Sequence, residues 1–290
     1  MKRVATRQDE LKEFLRSRRA RLAPTDVGLT ASSGGRRVAG LRREELAMLA
    51  GVSPDYYARL EQGRATNVSD QVLHAVAEAL RLNALERDHL AALVKPVRTV
   101  TADSHLRVRP ALRSMISALH PTPAVLHGPR LEIVAINRAA AALIHDFEAV
   151  PSAERNMARW MFLDPKAREV YPDWPDIAAQ MVAILRVAGG RDAEDARLAE
   201  LVGELSTQSS EFATFWAAQK LFEHTHGPKR FHHGPVGTMT LNYETMHLPA
   251  DAGLSLILYT ADPGSPSEAK LHALVVSSEG EHQAASPPHR

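Results

Sequence analysis

Side chains able to bind a polyanion gather in one short stretch of the chain, residues 42–67. A guanidinium can donate two parallel hydrogen bonds to a phosphate or to guanine O6 and N7, and a carboxylate can accept one from cytosine N4. Arg59 is therefore a candidate for contacting guanine, and Asp55 for contacting cytosine. Arg42, Arg43, Arg59 and Arg64 supply the guanidiniums of this stretch, and Asp55 supplies a carboxylate.

Asp55 and Arg59 lie four positions apart in a predicted helix, so a surface ion pair is the alternative to DNA contacts. Such a pair stabilises a helix by only about 0.2–0.5 kcal/mol. The two roles stay equally open for Asp55, whereas the DNA role is favoured for Arg59.

Two helices joined by a tight turn must position these side chains. Gly51 tolerates the positive φ of such a turn, and Ala47 is small enough for close helix packing. Val52 follows the turn, and Tyr57 and Leu60 fall on the buried face of the second helix. These offsets are typical of a helix-turn-helix. A plain αα-hairpin without a DNA role is the alternative.

Capping residues and apolar periodicity predict further helices around this pair. Ser53 is a good N-cap, Pro54 suits the first helical position, and Gly63 ends the second helix. Apolar residues recur at helical spacing in residues 9–22, 72–80 and 85–93. The sequence therefore predicts an all-α N-terminal domain of about five helices.

Charge and composition agree with such a domain. Residues 1–95 carry 17 Lys and Arg against 12 Asp and Glu, and the rest carry 18 against 22, so the net charge of +1 hides a basic N-terminal part. The 290 residues, 44% of them hydrophobic and 24% charged, suffice for about two globular domains. The lack of cysteine, of a signal-peptide core and of an apolar run of about 18 residues predicts a cytoplasmic protein.

The second half of the chain is predicted to form one antiparallel sheet. A hairpin in residues 123–137 precedes a helical middle, and three more strands follow at 229–233, 238–248 and 254–261. This order matches a PAS-like architecture with helices over one face, which makes the chain an α+β multidomain protein. The predicted boundaries are 1–93 for the helix-turn-helix domain, 94–110 for a linker, 111–276 for the PAS-like domain and 277–290 for a disordered tail.

Longer segments resemble one family of regulators. GVSPDYYARLEQGR resembles the recognition segment of XRE-type repressors, which share the five-helix fold of the lambda repressor. VAGLRREELAMLAGVSPDYYARLEQGR resembles the MmyB-like branch of actinobacterial regulators, as do ERNMARWMFLDPKAREVYPDW, GPKRFHHGPVGTMTLNYETMHLP and LILYTADPGSPS. The resemblance covers residues 8–93 and 105–275. It implies a transcription regulator that binds a palindromic operator as a homodimer.

The resemblance also implies roles for the DNA candidates. Ser53, Asp55 and Arg59 would face the bases, with Arg43 near the phosphate backbone. Tyr56 would contact sugar or phosphate, and phosphates would be held by Arg42, Arg64 and Asn67. Pro54 departs from the family, where a polar or basic side chain is common, so fewer direct base contacts are expected.

Aromatic and Met side chains concentrate in the second half, where most of them should fill a core and a subset should line a pocket. The pocket candidates are Asn137, Arg155, Asn156, Trp160, Phe162, Trp216, Leu221, His224 and Tyr243. Arg155 could pair with a carboxylate head group, and a structural salt bridge is its alternative role. The resemblance implies a hydrophobic small molecule, for which a fatty-acid-like compound is one candidate.

Metal and enzyme chemistry find little support. Five histidines cluster at 224–247, but adjacent His232 and His233 should face opposite sides of a strand, so no metal site and no cofactor are expected. Dinucleotide-binding, P-loop, zinc-protease and nucleophile-elbow motifs are absent, which favours a protein that is not an enzyme. An enzyme fused to a DNA-binding domain and an interaction protein with a degenerate pocket are the alternatives.

Overall fold

The computed structural model describes residues 6–29, 40–65, 67–95, 108–191, 195–251 and 253–285. Contacts between residues divide the chain into two units. The helical unit combines Met1–Thr101 with Arg186–Glu223, and the sheet unit combines Ala102–Leu185 with His224–Arg290. Most of the predicted linker, 94–110, lies outside the described residues.

Five α-helices in the described part of the first 95 residues confirm the predicted all-α N-terminal region. They are α1 (Arg7–Arg21), α2 (Arg43–Leu49), α3 (Pro54–Glu61), α4 (Asp70–Ala79) and α5 (Ala84–Val94). Ser53, Ser69 and Asn83 cap the last three helices by accepting a backbone N–H. The apolar faces of all five form one core, in which Phe14 and Leu46 are fully buried.

The remaining α-helices of the described residues are α6 (Pro110–Ala118), α7 (Arg138–Leu143), α8 (Met157–Leu163), α9 (Lys166–Val170), α10 (Trp174–Arg191), α11 (Ala196–Gln208), α12 (Ser210–Ala217) and α13 (Pro266–Ala285). The strands are β1 (Ala124–His127), β2 (Ile133–Ile136), β3 (His226–His233), β4 (Gly237–His247) and β5 (Ser255–Thr260). None of the helices in these ranges has the length and apolar character needed to cross a membrane.

Residues 186–223 belong to the helical unit, although the sequence prediction placed them in the PAS-like domain. Leu221 packs against the core of α1–α5. Arg18 of α1 is almost fully buried and donates a hydrogen bond of 2.8 Å to the Gln219 carbonyl. Helical periodicity shows that a segment has an apolar face, but it does not show which core that face packs against.

Helix α10 runs through Gly189 and Gly190, although glycine commonly follows the end of a helix. A Cβ atom on Gly190 would lie 2.4 Å from Nδ1 of His89 in α5. The glycine therefore allows the close approach of the His89 ring instead of ending the helix.

The sheet has the strand order β2-β1-β5-β4-β3, and every pairing is antiparallel. The pairs Lys229–Leu241 and Tyr243–Tyr259 place these four residues on the same face, because directly opposite residues of an antiparallel pair share a face. We call this face, formed by odd-numbered residues of β1, β3, β4 and β5, the odd face. In β4 it is buried while the alternate residues from Thr238 to Glu244 are exposed, as the sequence predicted.

Helices lie against both faces of the sheet, not against one as predicted. Tyr171, which follows α9, packs on Phe231 of the odd face with ring centroids 5.1 Å apart. On the opposite face, Leu112 and Ile116 of α6 form a core with residues of β1 and β5, including Leu126. A hydrophobic pattern of period two distinguishes a buried face from an exposed one, but β1 is buried on both faces.

The predicted disordered tail is wrong in its first part. Helix α13 continues to Ala285 and therefore includes most of residues 277–290. Ser267 and Lys270 attach its first turns to β4: the Ser267 hydroxyl accepts from Thr240 N, and Lys270 Nζ donates to Thr238 O. The C-terminal end of α13 has few apolar residues, so apolar periodicity did not predict a helix there. The helix is attached to the sheet through its N-terminal turns instead.

Candidate nucleic-acid interface and ligand site

The turn between α2 and α3 has the geometry that the sequence predicted. Gly51 adopts φ 65°, the left-handed conformation that a glycine tolerates best. Its N–H donates to Met48 O at 3.2 Å, and Val52 N donates to Ala47 O at 3.0 Å, which is the double hydrogen bond of a Schellman motif. Tyr57 is fully buried, which holds α3 against the core.

The predicted DNA candidates lie on the surface around α3. Ser53, Asp55, Arg59, Arg64 and Asn67 are exposed, while Arg42 and Tyr56 are half-buried. The Ser53 hydroxyl accepts from Tyr56 N at 3.1 Å, so it serves first as the helix cap.

The alternative ion pair between Asp55 and Arg59 is absent from the described residues, where no nitrogen–oxygen distance within 4 Å joins the two. The Arg59 guanidinium instead lies 5.8 Å from the centroid of the Tyr56 ring. Asp55 and Arg59 thus both remain exposed to solvent and able to reach a partner.

Arg43 is held by a buried carboxylate. Glu61 is fully buried, and its oxygens accept from Arg43 Nη2 at 2.8 Å and from Arg19 Nε at 3.1 Å. Burial alone raises the pKa of Glu61, but the hydrogen bonds from the two arginines outweigh it and the pKa lies below its usual value. Arg43 ties the start of α2 to the end of α3, so it would meet a phosphate with a side chain whose position is already fixed.

In the sheet unit, the predicted pocket aromatics pack on one another. Trp160 is buried and stacks on His145 at 5.6 Å, with the rings of Phe147 and Tyr171 each at 6.0 Å. Phe162 makes a T-shaped contact with Trp174 at 5.8 Å. These residues form a core layer above the odd face.

Three of the predicted polar pocket residues hold the backbone instead. Asn137 caps α7 and bonds to Ala124 N and Thr122 O, and Asn156 caps α8 and donates to Arg130 O. Arg155 donates to the carbonyls of Val150 and Glu148, which is neither the carboxylate contact nor the salt bridge considered from the sequence. Side chains committed to several internal bonds are poor candidates for binding a ligand.

Trp216 and Leu221 belong to the helical unit, whereas the other predicted pocket residues belong to the sheet unit. The Arg186 guanidinium lies 4.0 Å from the centroid of the Trp216 ring and also donates to the Trp216 carbonyl. A sequence prediction that treats the second half as one domain cannot separate these residues from those of the sheet.

A polar cluster on the odd face includes two predicted residues, His224 and Tyr243, and one that the prediction missed. The His224 ring stacks on the Tyr243 ring at 3.9 Å, and its Nδ1 lies 2.8 Å from the Thr245 hydroxyl. Lys229, which is buried, places Nζ 3.2 Å from His224 Nε2 and 4.7 Å from the centroid of the Tyr243 ring. We call Lys229, His224 and Tyr243, together with Tyr259 and His127, the lysine cluster.

Burial determines the protonation of this cluster. It lowers the pKa of Lys229 to about 8. Burial, reinforced by repulsion from Lys229, lowers the pKa of His127 to about 4 and that of His224 to about 2. At neutral pH the two imidazoles are neutral and the Lys229 amine is mostly protonated.

Strand alternation could have identified Lys229 from the sequence. In KRFHH, Lys229 and Phe231 share a face, and Phe231 predicts that this face is buried. The charge of the lysine concealed that pattern.

Two surface depressions accompany these features in the described residues. One of about 630 Å³ lies along α11, lined by residues from Ala196 to Gln208. The other, of about 380 Å³, lies beside β3 and is lined by Lys229, Arg230, Asp173 and neighbouring residues. None of the predicted pocket residues lines either depression. The described residues also contain no group of three or more histidines or carboxylates that could hold a metal ion.

Comparison with family models gives two matches. Residues 108–274 match the MmyB-like transcription regulator ligand binding domain, which is more than half of the chain. Residues 10–90 match a helix-turn-helix domain. This chain belongs to the MmyB-like transcription regulators. No curated protein matches it.

The MmyB-like regulator is thus a DNA-binding protein with a separate ligand-binding region, and both matched families are regulatory. The helix-turn-helix match includes every residue predicted to contact DNA. The ligand-binding match includes the lysine cluster and also residues 186–223, which the regulator packs into its helical unit.

Proposed function

We propose that this regulator binds a palindromic operator as a cytoplasmic homodimer, and that a small hydrophobic molecule bound by its C-terminal region changes its affinity for that operator. A fatty-acid-like compound is one form that this molecule could take. The protein binds its ligand and does not convert it. Arg59 and Asp55 of α3 face the bases, with Ser53 beside them, while Arg42, Arg43, Tyr56, Arg64 and Asn67 contact the backbone.

One observation carries the regulatory half of the proposal. Residues 186–223 lie within the region that matches a ligand-binding domain, yet they pack on α1 and α5 of the DNA-binding region. Any ligand that alters this segment alters the support of the helix-turn-helix directly. The segment is therefore a direct route by which a ligand could change operator affinity.

The packing of that segment is well suited to sense small displacements. Arg18 is buried between the Gln219 carbonyl and Glu86, whose Oε1 lies 2.8 Å from its Nε. Burial lowers the pKa of Arg186 to about 10, and burial followed by repulsion from Arg186 lowers the pKa of His89 to about 3. Buried polar contacts of this kind tolerate few alternative arrangements.

Dimer formation is supported by the small DNA-contacting surface of a single helix-turn-helix. A single helix-turn-helix contacts one half-site, and half-sites lie about 34–36 Å apart. Light scattering at micromolar concentration, with and without DNA, should give the mass of a dimer.

Reciprocal titration tests the proposal. Native mass spectrometry of the purified chain identifies any retained small molecule, and selection from random DNA provides an operator. The affinity of the molecule is then measured with and without operator at fixed salt, because DNA binding depends on salt. We expect a change of about 5- to 150-fold, equal to the change that the molecule causes in operator affinity. Equal affinities in both titrations would remove the regulatory role.

A further inference from the structure

Residues 186–223, which we call the clamp, contact the DNA-binding region with a fit that leaves no room for one added carbon atom. His89 of α5 is buried, and a Cβ on Gly190 would lie 2.4 Å from its Nδ1 and 2.5 Å from its Cε1. The Phe14 ring of α1 packs on the same imidazole, with ring centroids 5.0 Å apart. The His89 ring therefore contacts both α1 and the clamp, and the glycine permits the second contact.

The surface between the clamp and α5 also buries polar atoms that find no partner there. His89 Nδ1 on α5, and Arg186 Nε and Gln219 Oε1 on the clamp, have no hydrogen-bond partner among the described residues. All three side chains are more than nine-tenths buried. Because a buried polar atom without a partner has lost its hydrogen bonds to water, closing this surface carries a cost that opening it would remove. A close fit combined with unsatisfied polar atoms favours a surface that can separate.

Helix α1 connects this surface to the helix-turn-helix through two consecutive residues. Arg18 donates a hydrogen bond of 2.8 Å to the Gln219 carbonyl of the clamp. Arg19 donates to Glu61 at the end of α3 and, at 2.6 Å, to the carbonyl of Leu41 just before α2. A shift of α1 that follows the clamp would therefore disturb the contacts that orient α2 and α3.

Helix α10 supplies residues to both units. Its residues before Arg186 belong to the sheet unit, and Arg186–Arg191 belong to the helical unit. The whole helix lies within the matched ligand-binding region. Backbone hydrogen bonds run along an α-helix from end to end, so a displacement of its first turns reaches Gly190.

We propose that the clamp opens and closes on α1 and α5, and that the closed form binds the operator more tightly than the open form. The inference rests on the proposed function, and it names the movement by which the C-terminal region regulates DNA binding. In the closed form Gly190 lies against His89, and Arg18 binds the Gln219 carbonyl. In the open form water reaches the unsatisfied atoms, and α1 loses the contact that holds it in place.

One added methyl group tests the clamp in the full chain. Gly190→Ala places a Cβ against the His89 ring and should force the clamp open. We expect affinity for an operator selected from random DNA to fall about 5- to 150-fold at fixed salt, with faster hydrogen exchange in α1 and α5. Gly203→Ala in α11 is the matched control, because its Cβ would meet no atom within 4 Å.

His89→Ala shows whether the methyl group acts through the proposed contact. Removing the ring makes room for the added Cβ, so Gly190→Ala should cause no further loss of operator affinity in the His89→Ala background. A loss of the same size without the ring would mean that the methyl group acts elsewhere, and it would overturn the proposal.

Thiol labelling keeps the test decisive even if Gly190→Ala fails to fold. The chain has no cysteine, so Gln219→Cys provides a single thiol that is buried in the closed clamp, and Ala218→Cys provides an exposed one beside it. At low maleimide concentration, the labelling rate of a buried thiol follows the population of the open form. Because linkage is reciprocal, operator should slow the labelling of Gln219→Cys by about 5- to 150-fold and leave that of Ala218→Cys unchanged.

The clamp and the proposed function can fail independently. Equal operator affinities of Gly190→Ala and Gly203→Ala, or labelling of Gln219→Cys that operator does not slow, would overturn the clamp. These experiments use operator DNA without a small molecule, so their failure leaves the proposed function intact. The proposed function fails if no retained or added molecule changes operator affinity.

Discussion

Two buried charges, Glu61 in the helical unit and Lys229 in the sheet unit, have opposite surroundings. Glu61 lies between Arg19 and Arg43, and Arg18 of the same unit contacts Glu86, although the buried Arg186 contacts the ring and carbonyl of Trp216. In the sheet unit, Lys229 is equally buried but contacts an imidazole and aromatic rings. A buried charge that meets its opposite recovers part of its desolvation cost, whereas one without a counter-ion bears that cost in full.

The difference separates structural polar groups from candidate functional ones. In the DNA-binding region the residues proposed to contact DNA, such as Arg59, are exposed, and the buried charged ones support the fold. In the sheet unit, the buried Lys229 contacts His224 and the Tyr243 ring, so burial by itself does not show that a charge is compensated. Burial and compensation must therefore be considered together when a site is sought.

The largest expected effect comes from breaking the compensated charge. Glu61→Gln leaves the guanidiniums of Arg19 and Arg43 without their carboxylate. Breaking a buried ion pair costs about 3–5 kcal/mol, and we expect the lower end of this range because Arg43 is half-exposed. Thermal unfolding followed by hydrogen exchange in α1–α5 measures the loss. Glu44→Gln, an exposed carboxylate on α2, is the control. Similar unfolding of both variants would contradict a structural role for Glu61.

An effect of opposite sign is expected from the uncompensated charge. Lowering the pKa of Lys229 from 10.5 to about 8 corresponds to a penalty on the order of 3 kcal/mol at neutral pH. Without added ligand, Lys229→Met should therefore stabilise the sheet unit, while Lys166→Met, which removes an exposed ammonium of the sheet unit, should not. Denaturant unfolding of the sheet unit measures the difference.

The same change alters the pH dependence of stability. The folded pKa of Lys229 lies below the unfolded one, so the unfolded chain binds more protons between pH 8 and 10.5. Across this window the free energy of unfolding of the wild type should rise relative to that of Lys229→Met. The two chains should therefore have similar stability at high pH. A Lys229→Met variant that is less stable at every pH would mean that the ammonium is compensated after all.

The smallest effect concerns an exposed group and does not involve stability. Arg59→Ala should reduce discrimination at one base position by about 1–3 kcal/mol, whereas Arg64→Ala should weaken binding to all sequences alike. Competition among single-base variants of a selected operator measures both. An unchanged specificity profile for Arg59→Ala would exclude Arg59 from base recognition.

Local signals account for what the sequence predicted well. The turn at Gly51, the cap at Ser53 and the alternation in β4 each depend on neighbours within a few residues, and the structure confirms them. The exposed positions around α3 followed from the same turn.

Long-range packing accounts for what the sequence missed. Nothing near Gly190 in sequence indicates the ring of His89, so the sequence alone does not explain a glycine pair inside a helix. The partner of residues 186–223 and the burial of Lys229 likewise depend on segments far along the chain. The candidate pocket residues remain a prediction, although the backbone bonds of Asn137, Arg155 and Asn156 argue for other roles.

The discontinuity of the helical unit also has a consequence for biosynthesis. The ribosome releases the chain from its N-terminus at roughly 5–20 residues per second, so α1–α5 emerge well before residues 186–223. During that interval the surface that will receive Arg186 and Leu221, including Arg18 and His89, has nothing to cover it. The nascent DNA-binding region is thus complete in sequence but unfinished in structure until Glu223 has been made.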